Sequence, residues 1–243
     1  MKHTFFIILN TVLILLLASC NSNEVLVPQS PAIQFSCQIE PPKGARATGK
    51  DYFYEGDRIY ISATFTINGG NTTQLTEVAT VINGRIPTTM KWPENATAGS
   101  FTAWFAGNSL PDENGILATD PFNDLLKATI SVNAPEDHIQ LNFCHSLIRI
   151  VISGIQKDET LSLSSPSGSD GIVSFDTNLI SDDSPYTCGN GISLTLTTGK
   201  NTFYLHQWGQ PLTLHSDKVT GDQVIGCPTD IAEGKSYHII FRQ

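Results

Sequence analysis

The chain of 243 residues is acidic, with 14 Lys and Arg against 23 Asp and Glu, and 40% of its residues are hydrophobic. The basic residues are scattered without a basic run, so we expect no nucleic-acid partner. Charged residues make up only 15% of the chain, a balance typical of exported β-rich proteins rather than of cytosolic helical ones.

The amino terminus has the pattern of a lipoprotein signal. A short basic start precedes an apolar run over residues 5–17, which is shorter than the roughly 20 apolar residues of a membrane-spanning helix. The run ends in Leu17-Ala18-Ser19-Cys20, which resembles a bacterial lipobox. We therefore expect a signal peptide over residues 1–19, a lipid on Cys20 and a tether over residues 20–31. The alternative is an ordinary signal peptide followed by a chance cysteine.

Four further cysteines allow three disulfide connectivities in an exported protein. Cys188 and Cys227 both lie in segments rich in turn residues, so we predict that they form the pair. Cys37 alternates in phase with apolar neighbours, which favours a buried free thiol. No two cysteines have the Cys-x-x-Cys spacing of zinc or redox sites.

Short alternating segments separated by turn residues fill the remainder, as in an all-β chain. The clearest strand covers residues 58–67. Asn83-Gly84 between predicted strands at 77–82 and 85–91 indicates a type I′ hairpin. A helical turn is suggested only at residues 121–126. Further strands are predicted at residues 33–39, 101–106, 127–132, 138–145, 147–152, 160–164, 171–175, 193–197, 201–208, 211–215 and 236–242.

These roughly a dozen strands predict an all-β fold of two β-sandwich domains in tandem. The most apolar stretch after the signal, residues 139–152, is expected to connect the two halves. We place the domains at residues 32–145 and 146–243.

No motif for catalysis, cofactor binding or metal binding is present in the sequence. We therefore expect no enzyme, no cofactor and no metal. Asp112-Glu113-Asn114-Gly115 suggests a calcium loop but lacks the full ligand spacing, so a plain turn is favoured. Trp104, Phe105, Tyr204 and Trp208 would suit a sugar-stacking platform if exposed, although such residues more often belong to a core.

A small-residue loop at residues 43–48 contains one arginine, Arg46. Such a loop is a good protease substrate, with a cut between Arg46 and Ala47, although an inert linker has the same composition. The cut would free the strand at residues 33–39. Removing a strand exposes unpaired backbone groups, which a strand of another chain can fill.

Several segments together resemble the fimbrillin-like family, the pilins and accessory lipoproteins of Bacteroides-type fimbriae. The most specific is the Phe-x-His-x-Leu pattern at Phe143, His145 and Leu147. The others are the lipobox, the strand start at 33–35, Arg46-Ala47-Thr48, residues 54–59, the Trp-Pro and aromatic pair at 90–93 and 100–105, and residues 232–239.

The resemblance implies two transthyretin-like sandwiches and lipid-mediated delivery to the outer membrane. It also implies assembly with other fimbrial subunits by strand exchange, after cleavage at Arg46 removes residues 33–39. Residues 236–243 are the candidate donor strand. The aromatic strand ends in Ala106-Gly107 and the second half is short, so shaft, tip and anchor roles all remain open.

The function expected is therefore that of a structural fimbrial subunit at the cell surface, serving adhesion. The competing class is a monomeric surface lipoprotein that captures a host or bacterial glycan or protein. A solvent-facing row of Trp104, Tyr204 and Trp208 would favour the binding module, whereas their burial would favour the fimbrial subunit.

Overall fold

A computed structural model describes residues 31–41, 50–118, 122–155, 161–164, 173–180, 186–188, 193–206, 208, 211–216 and 223–240. These ranges contain 17 strands and no helix, so the all-β prediction is confirmed and the expected number of strands was too low. None of the described ranges holds a helix long and apolar enough to cross a membrane. The predicted helical turn is a non-helical turn where it is described.

The strands fall into four sheets. In the first half they are β1 (Ala32–Ile39), β2 (Arg58–Ile67), β3 (Thr72–Thr80), β4 (Arg85–Lys91), β5 (Ala96–Phe105), β6 (Ile116–Ala118), β7 (Leu126–Val132) and β8 (His138–His145). In the second half they are β9 (Ile148–Ile155), β10 (Leu161–Ser164), β11 (Val173–Asp176), β12 (Tyr186–Cys188), β13 (Ser193–Leu196), β14 (Gly199–Leu205), β15 (Leu212–Ser216), β16 (Gln223–Ile225) and β17 (Ser236–Ile240).

A seven-stranded sheet in the order β3-β2-β5-β7-β8-β1-β4 forms the first half. Its end strands β3 and β4 are consecutive in the chain, and the carboxylate of Glu77 accepts a 2.8 Å hydrogen bond from the backbone N–H of Thr89. The sheet therefore curls until its two ends meet. Its enclosed core is a cluster of buried apolar side chains from β1, β2, β4, β5, β7 and β8, including Phe35, Phe65 and Phe101.

The type I′ turn predicted at Asn83-Gly84 is confirmed, but the strands on either side of it do not pair as a hairpin: β3 and β4 are not neighbours in the sheet, and one isolated bridge, Ile82–Arg85, closes the turn. Both residues have positive φ, 51° and 70°, as a type I′ turn requires. Ile82 and Arg85 exchange backbone hydrogen bonds of 2.9 and 3.0 Å across the turn. This turn joins the two ends of the curled sheet.

Smaller sheets make up the second half, in the orders β13-β10-β15-β16, β12-β11-β6 and β14-β9-β17. A second core cluster forms from β9, β13 and β14 with Trp208 and Leu212. The sheets pack in a sandwich-like arrangement, as predicted.

One sheet and one apolar cluster contain residues from both sides of the domain boundary predicted at residue 145. β6 from the first half pairs with β11 from the second. A third apolar cluster joins the halves, with the ring of Phe175 lying 5.2 Å from that of Tyr60 and 5.9 Å from that of Trp104, centroid to centroid. The contacts within residues 31–243 make them one compact unit. The division into tandem domains stays a prediction.

Candidate functional site

The amino-terminal strand β1 lies inside the seven-stranded sheet, between β8 and β4. It runs parallel to β8, with Gln34 opposite His138 and Ile39 opposite Phe143. It runs antiparallel to β4, with Phe35 opposite Ile86. Both edges of β1 are therefore occupied, and the strand completes the sheet rather than extending it.

The buried face of β1 belongs to the main core. Ile33 and Phe35 have no solvent exposure, and Ile39 is also buried. The ring of Phe35 meets that of Phe101 edge-on at 5.4 Å. Burying each such side chain contributes about 1.5–3 kcal/mol, so the body loses several kcal/mol of core stabilisation if β1 departs.

Polar contacts pin β1 at both ends. The backbone N–H of Gln34 donates to the carbonyl of Asp137 at 2.9 Å, and that of Glu40 donates to the carbonyl of Phe143 at 2.8 Å. The hydroxyl of Thr88 on β4 donates to the carbonyl of Ile33 at 2.6 Å.

The chain flanking β1 lies mostly outside the described residues. Cys20 is in residues 1–30, and Arg46 and Ala47 are in residues 42–49, so the lipidation and cleavage sites stay predictions. The described body resumes at Lys50. A cut within residues 42–49 would leave β1 bound to the body by non-covalent contacts alone.

Lys50 is anchored where the body resumes. Its ammonium lies 2.7 Å from a carboxylate oxygen of Asp57, a side chain that is almost fully buried. The same ammonium lies 4.5 Å from the ring centroid of Tyr54 and 4.6 Å from that of Phe105. Asp57 also accepts hydrogen bonds from the backbone of Tyr54 and the amide of Asn108, each 2.8 Å. This network, which sequence reasoning missed, anchors the chain where the described body resumes after residues 42–49.

A buried Asp124–His145 pair lies near the carboxyl end of β1. Nδ1 of His145 is hydrogen-bonded to a carboxylate oxygen of Asp124. Burial raises the pKa of the Asp124 carboxyl, although the hydrogen bond to His145 opposes the shift. His145 lines a cavity of about 500 Å³ together with Glu40, Lys127 and Glu233. The histidine of the Phe-x-His-x-Leu pattern thus lies where β1 leaves the sheet.

Among the described strands β17 is an edge strand, paired with β9 and parallel to it. Ile240 at its end is 60% exposed. The predicted donor segment therefore begins on an accessible sheet edge; residues 241–243 lie outside the described residues.

The cysteine predictions have separate outcomes. Cys37 is a free thiol, as predicted, but it is half-buried rather than buried. Its thiol donates to the carbonyl of Gly84 at 3.6 Å. The side chain of Cys188 lies outside the described residues, so the Cys188–Cys227 disulfide stays a prediction.

The aromatic platform considered from the sequence does not exist as such. Trp104, Tyr204 and Trp208 are buried, and so is Phe105. The residues Asp112–Gly115 form a turn in which the Asp112 carboxylate accepts backbone hydrogen bonds, and these lower its pKa. No cluster of metal-ligating side chains occurs in the portion of the chain described above.

Comparison with solved structures identifies Bacteroides relatives of the fold. A "putative cell adhesion protein" from Bacteroides ovatus superposes with a TM-score of 0.51 at 15% identity, covering 88% of this chain and 92% of that one. Another so named, from Bacteroides uniformis, gives 0.46 at 17% identity, covering 75% and 78%. A "fimbrial assembly protein" from Parabacteroides distasonis gives 0.43 at 11% identity, covering 86% and 90%.

No protein-family model matches the sequence, and a search of curated proteins found no match. The B. ovatus match confirms, at the level of the fold, the resemblance that the sequence suggested. The class is thus an all-β sandwich protein with the fold of that Bacteroides protein.

Proposed function

We propose that this protein is a structural subunit of a cell-surface fimbria, made as an outer-membrane lipoprotein and serving adhesion. In this proposal Cys20 carries the lipid and the chain is cleaved between Arg46 and Ala47. The subunit then assembles with other fimbrial subunits by strand exchange, and it is not an enzyme. The names of the structural relatives support the adhesive role.

The observation that carries the proposal is the position of β1. The strand contributes fully buried side chains and pairs on both edges, yet its covalent link to the rest of the body runs through residues 42–49. Its loss would open a groove between β8 and β4, with an apolar floor and unpaired backbone groups on two sides. Such a groove is completed by an added strand.

The carboxyl-terminal segment has the pattern that this groove needs. Tyr237, Ile239 and Phe241 alternate with polar or exposed residues, as Ile33, Phe35 and Ile39 do in β1. The donor would have to run parallel to β8 and antiparallel to β4, as β1 does. Whether the subunit serves as shaft, tip or anchor is left open by this argument.

The test is limited digestion of the full chain carrying Cys20→Ser with an arginine-specific endoprotease, which spares Lys43 in the same loop, followed by intact mass and size-exclusion chromatography. We expect one early cut after Arg46, loss of β1 and a shift to oligomers. An excess of a synthetic peptide with the sequence of residues 31–41 should suppress the shift, because it refills the groove.

Two variants test whether the result depends on the bond after Arg46. Arg46→Gln should abolish both the early cut and the oligomers. The matched control Arg85→Gln, in ordered strand β4, should change neither. Resistance of the Arg46 bond, or a cut product that sheds β1 yet stays monomeric, would count against strand exchange and favour the monomeric binding module.

A further inference from the structure

A pair of exposed tyrosines lies beside the Lys50–Asp57 network. Tyr52 and Tyr54 are each 54% exposed, and their ring centroids are 4.6 Å apart with a tilt of 59°. We call this ring pair the tyrosine shelf. Large aromatic side chains exposed side by side are costly to leave in water, so they mark a surface with a partner.

The Tyr54 side of the tyrosine shelf is fixed by its surroundings. The ammonium of Lys50 lies against the ring of Tyr54, and the backbone N–H of Tyr54 donates to Asp57 at 2.8 Å. The backbone N–H of Gly56 donates to the carbonyl of Val81 at 3.1 Å, which ties the segment to the sheet. A ligand would therefore meet a preorganised surface and order few groups on binding.

Next to the shelf lies a cleft of about 350 Å³, at the small end of the range for small-molecule sites. Tyr54 and the 44% exposed Phe122 provide aromatic surface at the cleft. Asp51, Asn108 and Asn123 provide carboxylate and amide groups among its lining residues. Aromatic faces beside fixed polar groups suit a ligand that is apolar on its faces and hydroxylated at its edges.

The charge at the cleft narrows the class of ligand that it can bind. Three carboxyl groups, those of Asp51, Asp57 and Asp124, are among its lining residues. Asp57 is paired with the ammonium of Lys50 and Asp124 is hydrogen-bonded to His145, so the negative charge that remains at the cleft is that of Asp51. An anionic ligand would meet net repulsion here, whereas an uncharged one would not.

We propose that the tyrosine shelf and this cleft bind uncharged glycans. The C–H groups on one face of a pyranose ring carry partial positive charge and stack on the negative face of a tyrosine ring. The hydroxyl groups at the edge of the sugar then reach the amide of Asn123 and the carboxylate of Asp51.

The proposal that a glycan is the ligand rests on the proposed adhesive function. Binding of the glycan does not require strand exchange. The shelf and the cleft lie at residue 50 and beyond, so they remain on the body after a cut at Arg46. The two proposals therefore fail separately, one in glycan binding and the other in oligomer formation.

The test is saturation-transfer NMR on the uncleaved full chain carrying Cys20→Ser, with lactose, cellotriose and mannotriose as neutral probes and sialyllactose as the charged one. We expect transfer to at least one neutral sugar, concentrated on one face of a ring, and weaker transfer to the galactose of sialyllactose. Tyr52→Ala should weaken binding about tenfold through the lost stacking surface, whereas Tyr52→Phe should retain most of it.

Asn123→Ala should also weaken binding, and Val224→Ala, which truncates an exposed apolar residue on β16, should leave it unchanged. Thermal unfolding of each variant shows whether it is folded. No transfer to any of the three neutral sugars would overturn the proposal. Equal transfer in folded Tyr52→Ala, or binding of sialyllactose as strong as that of lactose, would also overturn it.

Discussion

The hydroxyl of Thr88 on β4 donates a buried 2.6 Å hydrogen bond to the main-chain carbonyl of Ile33 on β1. A side chain of β4 thus holds the backbone of the neighbouring strand β1. The hydrogen bond is made to a main-chain carbonyl, so it does not depend on which side chain occupies position 33. Any strand that replaces β1 in the same register can receive the same bond.

Thr88→Val removes this bond without changing the size of the side chain much. We expect a loss of about 1–3 kcal/mol in the free energy of unfolding, because the Ile33 carbonyl stays buried without that donor. After cleavage at Arg46, β1 should also leave the body faster. Urea unfolding and the rate of β1 loss after arginine-specific cleavage measure the two effects. Thr76→Val, at an exposed position of β3, is the control and should change neither.

Phe35→Ala should create a cavity in the core of the curled sheet. Loss of a fully buried phenylalanine costs about 3–5 kcal/mol, so the unfolding midpoint should fall sharply. Gln38→Ala on the exposed face of the same strand should leave the midpoint nearly unchanged. Similar midpoints for the two variants would show that β1 does not pack in the core as described. Urea denaturation followed by tryptophan fluorescence checks this.

The thiol of Cys37 should report the departure of β1. Burial, and to a lesser extent the charge of Asp57, raises its pKa from 9.0 to about 11. At pH 8 the thiolate is then scarce, and release of β1 should restore the ordinary pKa and speed alkylation by roughly 100-fold. Peptide mass spectrometry can follow iodoacetamide labelling of Cys37 before and after cleavage. Labelling that is equally fast in both states would contradict the prediction.

The same shift has a defined effect on stability. A folded pKa above the unfolded one means that the folded protein holds its proton longer. The thiol therefore contributes its full stabilisation below pH 9, and that contribution is lost as the pH rises from 9 to 11. Cys37→Ser, whose hydroxyl does not titrate there, should flatten this part of the stability profile.

Lys50→Met should destabilise the body by about 3 kcal/mol, because it leaves the buried carboxylate of Asp57 without its ammonium partner. Lys235 also pairs with an aspartate, at 2.6 Å, but that aspartate is 71% exposed. Lys235→Met should therefore change the unfolding midpoint very little. Thermal unfolding of the two variants, compared with the unchanged protein, measures how much the buried ion pair and the exposed ion pair each contribute to stability.

Local patterns were sufficient to predict the strands at residues 58–67 and 85–91, whose bounds match β2 and β4. Alternation and an Asn-Gly turn act within a few residues. The strand predicted at residues 77–82 was shifted, since β3 runs Thr72–Thr80 and is mostly exposed, so it carries little alternation. Three-residue strands such as β6 are too short to show a period.

Long-range packing decides features that local patterns could not predict. Tyr60 lies on the face of β2 opposite the main core, yet it is buried because Phe175 of β11 covers it. The same ring covers Trp104, which removes it from the surface. For the site, the sequence indicated β1 and its loop but not the parallel partner β8. It also gave no sign that Lys50, Tyr54 and Asp57 converge.

The pairing of β1 with β8 also affects the order in which the strands dock during folding. Ser36 and Gln140, which share a hydrogen bond, are 104 residues apart, so this contact has a very high contact order. If the chain emerges from an export channel amino end first, β1 appears early and can meet β4 soon afterwards. Its other edge must wait until residues 138–143 arrive, so the first strand to emerge is among the last to dock.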